Sequence, residues 1–146
     1  MSKNLIDNQS YGMYEGLPKT YADTTLLWSG SADVGDTITL SEAFTNFKQL
    51  IFVAGGACGV VIVGDESSGN TLNTTDSAKI CMNRYDAYSS GITTIALYFN
   101  VAKITATSTV AFSVDAGQQM YITPSEAAQI SFSPITKIYG IGRIAN

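Results

Sequence analysis

The sequence predicts an all-β domain of the β-sandwich or jelly-roll kind. Short runs rich in Val, Ile, Thr and Phe recur every 8 to 14 residues or so, roughly the rhythm of strands joined by tight turns. Two of these runs, Ile95-Leu97-Phe99-Val101 and Val110-Phe112-Val114, alternate with a period of two, as a half-buried strand requires. Helix is nearly absent, because only SEAFTNF, beginning at Ser41, accommodates a helical turn. With 146 residues, 45% of them hydrophobic, the chain is sized for one domain and one core.

The elements follow in order. Residues 1–23 are polar with Tyr11, Tyr14 and Tyr21 interleaved, and Gly16 and Pro18 stop any helix from growing; they read as an extended arm or linker ahead of a sandwich over 24–146. Thr24–Trp28 is β-rich and ends at Ser29-Gly30. SADVGD makes a turn, and Thr37–Leu40 forms the next strand. Ser41 is placed to cap the helical turn, with Phe44 facing inward. Lys48–Ala54 and Gly59–Val63 are near-continuous apolar runs, the pattern of strands covered on both faces.

A polar loop is expected from Gly64 to Ser77, then a short strand Lys79–Asn83 and a second loop from Arg84 to Gly91. Ile95–Val101 is a strand with its Ile, Leu, Phe and Val on one parity. Asp115-Ala116-Gly117 reads as a turn, Gln119–Thr123 and Gln129–Phe132 as short strands, and Ile135–Ile144 as the closing one.

Composition removes several classes of function. The net charge is −4, and the eight basic residues are scattered singly, so no cluster exists to neutralise a row of phosphates or to hold an anionic membrane. Residues 1–12 lack the apolar core of a secretory leader, and the longest apolar run, Leu50–Val63, is interrupted by glycines and too short to span a bilayer. Synthesis in a cytoplasm is expected, with Cys58 and Cys81 as reduced, buried, small hydrophobes; a disulfide would need their strands to be neighbours.

Histidine is absent, which removes Ser-His-Asp and Cys-His nucleophiles and the commonest metal ligand. There is no phosphate-binding glycine loop and no CxxC, and two cysteines do not complete a zinc site. No cofactor, metal or catalytic residue is expected. The one catalytic option is a carboxylate pair for glycosidic hydrolysis, drawn from Asp65, Glu66 and Asp86 or from Asp33 and Asp36, and solvated turn residues explain these better. A calcium site at Asp33 and Asp36 would have too few oxygens.

One pattern goes beyond composition. Leu27-Trp28-Ser29-Gly30, Thr37-Ile38-Thr39-Leu40-Ser41, Asn46-Phe47 and Leu50-Ile51-Phe52-Val53 are matched near the other end by Ile135-Thr136-Lys137-Ile138-Tyr139-Gly140-Ile141. In order and spacing these resemble a C-terminal domain of bacteriophage tail-fibre and related receptor-binding tail proteins, over roughly residues 24 to 54 and 130 to 144. Leu27 and Trp28 would seal the core against the closing strand, and Gly140 would permit a bulge or a close backbone approach.

The resemblance implies a virion component at the tip of a tail fibre, assembled as a homotrimer and touching other phage tail proteins. Host attachment, through a surface polysaccharide or an outer-membrane protein, would fall to loop residues carried on the rigid frame. Arg84, Tyr85, Asp86 and Tyr88 are the leading candidates, with Asn70, Asn73 and Glu66 second: tyrosines stack on sugar rings, and Arg, Asp and Asn hydrogen-bond their hydroxyls. The alternative is a purely structural virion protein: a trimerisation cap, an adaptor or a capsid decoration. The opening Met-Ser-Lys is compatible with a separate small gene product.

Overall fold

The computed structural model describes residues 24–64, 71–73, 77–87 and 95–144. They form β1 (Thr24–Ala32), β2 (Thr37–Thr39), a 3-10 turn (Phe44–Asn46), β3 (Phe47–Ala54), β4 (Ala57–Val63), β5 (Thr71–Leu72), β6 (Ser77–Ala87), β7 (Ile95–Ser108), β8 (Ala111–Ile122), β9 (Ala127–Ile130) and β10 (Ile135–Arg143). The all-β expectation holds. The proposed arm over 1–23 lies outside the described residues, and the first strand starts at Thr24.

All ten strands belong to one sheet, in the order β1-β10-β3-β4-β6-β7-β8-β2, with β5 added to β4 and β9 to β8. Every pairing is antiparallel except β4–β5. β1 and β2 stand at opposite ends of that order and are consecutive in sequence. The Asp33–Asp36 turn, with Gly35 at φ 97°, joins them, so the two ends of the sheet must meet. The backbone N–H of Ser41 donates to the carbonyl of Leu27 (2.9 Å) across that meeting point. The sheet is therefore curled over on itself like a sandwich, close to a closed barrel, with its halves facing each other.

The core fills the space between them. Leu27, Ile38, Phe44, Phe47, Leu50, Phe52, Val61, Leu72, Ile80, Met82, Ile104, Phe112, Val114, Ile135 and Ile138 are buried together. Phe112 is the hub, with ring centroids 5.1 Å from Phe44 and 6.0 Å from Phe52. Gly140 makes the close approach its residue type allows: the ring of Phe47 lies where a side chain would be, with ring atoms 2.6 Å from an ideal Cβ.

Several local expectations are corrected. The helical turn exists with Phe44 inside, but Ala43 is its N-cap and no side chain caps it, so Ser41 does not. Trp28 is only partly buried: it packs on the core edge, its indole lying over Gly30, while Leu27 is fully inside. Leu27 is the extra residue of a register shift, since Leu26 faces Tyr139 and Trp28 faces Ile138. β4 is covered on one face only: Val61 points inward, whereas Val60 and Ile62 are 55% and 53% exposed; on β3, Leu50 and Phe52 point inward while Ile51 and Val53 are half-buried on the other face.

On β7 the apolar parity faces outward. Ala96, Asn100, Ala102 and Ile104 are buried, and Ile95 and Leu97 are not. Small inner residues leave room for the Phe132 ring, which sits over Gly117, the partner of Ala102. Buried Asn100 meets its hydrogen-bonding needs at the Ser133 backbone, donating to the carbonyl and accepting from the N–H, both at 2.9 Å. Asp115-Ala116-Gly117 is no turn: β8 runs straight through it, with Asp115 as a bulge between the pairs Lys103–Ala116 and Ile104–Val114.

The cysteines are free and exposed, not buried. They lie on the outward parities of β4 and β6, which are neighbours, but Cys58 is opposite Asn83 and not Cys81.

One ion pair ties the 3-10 turn to the closing strand. Arg143 grips Glu42 through both guanidinium nitrogens (2.7 and 3.0 Å) and lies 4.7 Å from the centre of the Phe47 ring. The hydrogen bonds from Arg143 and Asn46 lower the Glu42 carboxyl from its ordinary 4.5 to about 2. A carboxylate depressed by folding stabilises the fold while ionised, so this contribution is full above 4.5 and vanishes as the pH falls toward about 2. Asp115, lowered by hydrogen bonds from Thr105 and Ser113, acts in the same direction. Denaturant melts over that range are expected to show stability falling with acid, and Glu42→Gln is expected to flatten the slope. An unchanged slope in the variant would mean that the pair contributes nothing.

Candidate functional site

The candidate residues collect at the end of the β6–β7–β8 ribbon that carries the turn between β3 and β4. Arg84, Tyr85 and Asp86 were expected on a loop; they lie within β6, which continues to Ala87. The correction changes their geometry, because successive strand residues point to opposite faces. Arg84 and Asp86 continue the inward parity of Ile80 and Met82 past the end of the core. Tyr85 points outward with Lys79, Cys81 and Asn83, and is 71% exposed.

On the inward parity a small platform forms. Register places Arg84 opposite Tyr98 and Tyr98 opposite Tyr121. The two tyrosine rings tilt against each other at 55° with centroids 5.1 Å apart. The Arg84 guanidinium lies 3.9 Å from the centre of the Tyr98 ring and pairs with the Asp86 carboxylate. Gly56, in the β3–β4 turn, keeps this space open: an ideal Cβ there would stand 3.3 Å from Arg84 Cδ. Burial, and secondarily the negative charge of Glu126, raises the Tyr121 phenol above its ordinary value.

On the opposite face of the same ribbon, Tyr85 stands in register with Leu97, and Leu97 with Ile122. A shallow depression there is lined by Ile95, Leu97, Ile122, Thr123 and Pro124. The sheet therefore splits the expected cluster into a polar–aromatic platform and an apolar patch on its other side.

The remaining candidates do not join them. Tyr88, Asn70 and Glu66 lie outside the described residues, as does Asp65. Asn73 follows β5, which pairs with Ile62 and Val63 at the end of β4 remote from Arg84. Tyr98 and Tyr121 were missed by sequence reasoning. Their signal was register: each is an ordinary strand residue until pairing sets it beside Arg84.

Asp33 and Asp36 are turn formers. Asp33 accepts from the Val34 N–H, and Asp36 accepts from the Asp33 N–H, both at 2.8 Å. Among the described residues, no three His, Cys, Asp or Glu converge to hold a metal ion, and no helix is long and apolar enough to cross a membrane. Comparison with protein-family models, curated proteins and solved structures finds no match.

Proposed function

We propose that this chain is the tip domain of a bacteriophage tail fibre, carried in the virion as a homotrimer, and that it attaches the virion to a host-surface glycan or outer-membrane protein without catalysis. The observation that carries the reading is the Arg84–Tyr98–Tyr121 platform with Asp86 at its side. Tyrosine rings at a strand end offer flat apolar faces for the C–H faces of a sugar or for an apolar protein side chain. Arg84 and Asp86 supply a donor and an acceptor for hydroxyls beside them. The tail-protein-like pattern in β1–β3 and β10 supports the same reading, since those strands form the frame and not the platform.

The test is adsorption to host cells, with purified surface polysaccharide as the defined ligand. Tyr98→Ala is expected to weaken binding by about 2 kcal/mol, roughly 30-fold, as loss of a central aromatic contact does. Undiminished adsorption in the correctly folded variant would refute the platform. Shortening of the polysaccharide on incubation with the protein would refute the non-catalytic part.

A second reading, a structural cap or adaptor, is favoured by the outer face of the sheet. Leu26, Tyr139, Ile51 and Val60 line up across β1, β10, β3 and β4 as one outward cross-strand row, and Leu26 and Val60 are largely exposed. A row of this kind suits contact with another subunit. A structural cap would be trimeric and would bind no host cell; a receptor-binding tip would be trimeric and would bind host cells.

A further inference from the structure

We infer that the outer face of β6–β7–β8 carries a second, separate binding site, for the anionic group of an acidic glycan, centred on Lys79 and Lys103. Register sets these two lysines directly opposite each other on neighbouring strands. At such a position the Cβ atoms are about 5 Å apart, and like charges placed so destabilise a sheet. The chain has only eight basic residues and a net charge of −4, so a self-repelling pair is not forced by an excess of lysine. Arg84 and Arg143 both have carboxylate partners, whereas among the described residues neither Lys79 nor Lys103 is in an ion pair.

The surroundings give the pair a floor. Lys79, Val101, Lys103, Ala116, Gly117 and Gln118 line a depression of about 260 Å³, the scale of one sugar ring. Across the strands, Lys103 faces Ala116 and Val101 faces Gln118, so small and apolar side chains neighbour the two lysines in the depression. The Gln118 amide donates to the Ile130 carbonyl (2.9 Å), which fixes it at the rim.

Asp115, displaced by the β8 bulge, accepts from the hydroxyls of Thr105 and Ser113 (2.7 Å from the latter); the charge of Lys103 helps to hold its carboxyl low, but the two form no ion pair. An anion between two ammonium groups would remove their repulsion, while a ring lies on Val101 and Ala116. The shared chemistry is an anionic substituent on a hydroxylated ring or chain, and either a uronate carboxylate or a phosphodiester would supply it.

The test uses the whole chain and calorimetric titration with three polymers: oligogalacturonate, a glycerol-phosphate polymer and neutral dextran. Binding of at least one anionic polymer, weakened by added salt and absent for dextran, is expected; whichever anion binds better identifies the source. Lys103→Glu supplies the control, because it replaces one of the two positive charges at the site by a negative one. It is expected to stay folded in a thermal melt and to lose at least tenfold in affinity. Equal binding of dextran, no binding of either polyanion, or full affinity in Lys103→Glu would overturn the inference.

Discussion

Gly59→Ala is expected to cost about 3 kcal/mol or more, enough to lower the melting temperature by roughly 10 °C in a chain of this size. An ideal Cβ on Gly59 would lie 2.1 Å from the carbonyl oxygen of Cys81 and 2.8 Å from its carbonyl carbon. Both are backbone atoms, so no rotamer change relieves the clash; β4 and β6 must part. Their junction is also thin, with only Cys58 and Asn83 in register across it, and it links the β1-β10-β3-β4 half of the sheet to the β6-β7-β8-β2 half. Gly64→Ala is the control, since the nearest atom to its Cβ would be 4.0 Å away. Guanidinium titration compares the two variants, and a Gly59→Ala loss under ~1 kcal/mol would mean that the strands are not this close.

Phe112→Ala is expected to cost about 3 to 5 kcal/mol, the range for removing a fully buried phenylalanine. Phe112 is wholly inaccessible and touches the rings of both Phe44 and Phe52. It also joins three strands, pairing with Ile38 on β2 and Ala106 on β7. Its removal therefore opens a cavity at the place where the curled sheet closes. Phe112→Leu, which keeps most of the volume, is expected to lose less than about 1.5 kcal/mol. A loss below ~1 kcal/mol for the alanine variant would show that the core collapses freely around the site.

Much of this frame was legible before any coordinates. Period-two runs, glycine turns and the near-absence of helix identify the class, and β2, β3 and β10 fall close to their expected bounds, whereas β1 runs on through Ser29-Gly30 to Ala32. Alternation does not say which parity faces the core, however. On β7 the larger apolar side chains face out, because the inner side is filled from elsewhere by Phe132. Polar composition likewise hides the last third of β6: Arg84–Ala87 is strand, the end of a run of eleven consecutive pairings between β6 and β7. Residue type does not say which strand face the cysteines occupy, and an apolar run such as Gly59–Val63 does not by itself mean that both faces are covered, as exposed Val60 and Ile62 show. Of the candidate site, Arg84 and Asp86 were found from residue type. Tyr98 and Tyr121 needed the register that brings residues about 14 and 37 positions later beside them, which no local pattern contains.

The place of β10 has a consequence for synthesis. It lies between β1 and β3, although nearly the whole chain separates it from β1. While the ribosome is still making residues 135–143, both neighbouring edges stand open, with Leu50, Phe52 and Leu27 uncovered beside the gap. Premature release, as after a nonsense codon in this stretch, would therefore yield sticky, insoluble polypeptide and not a weakened copy of the domain.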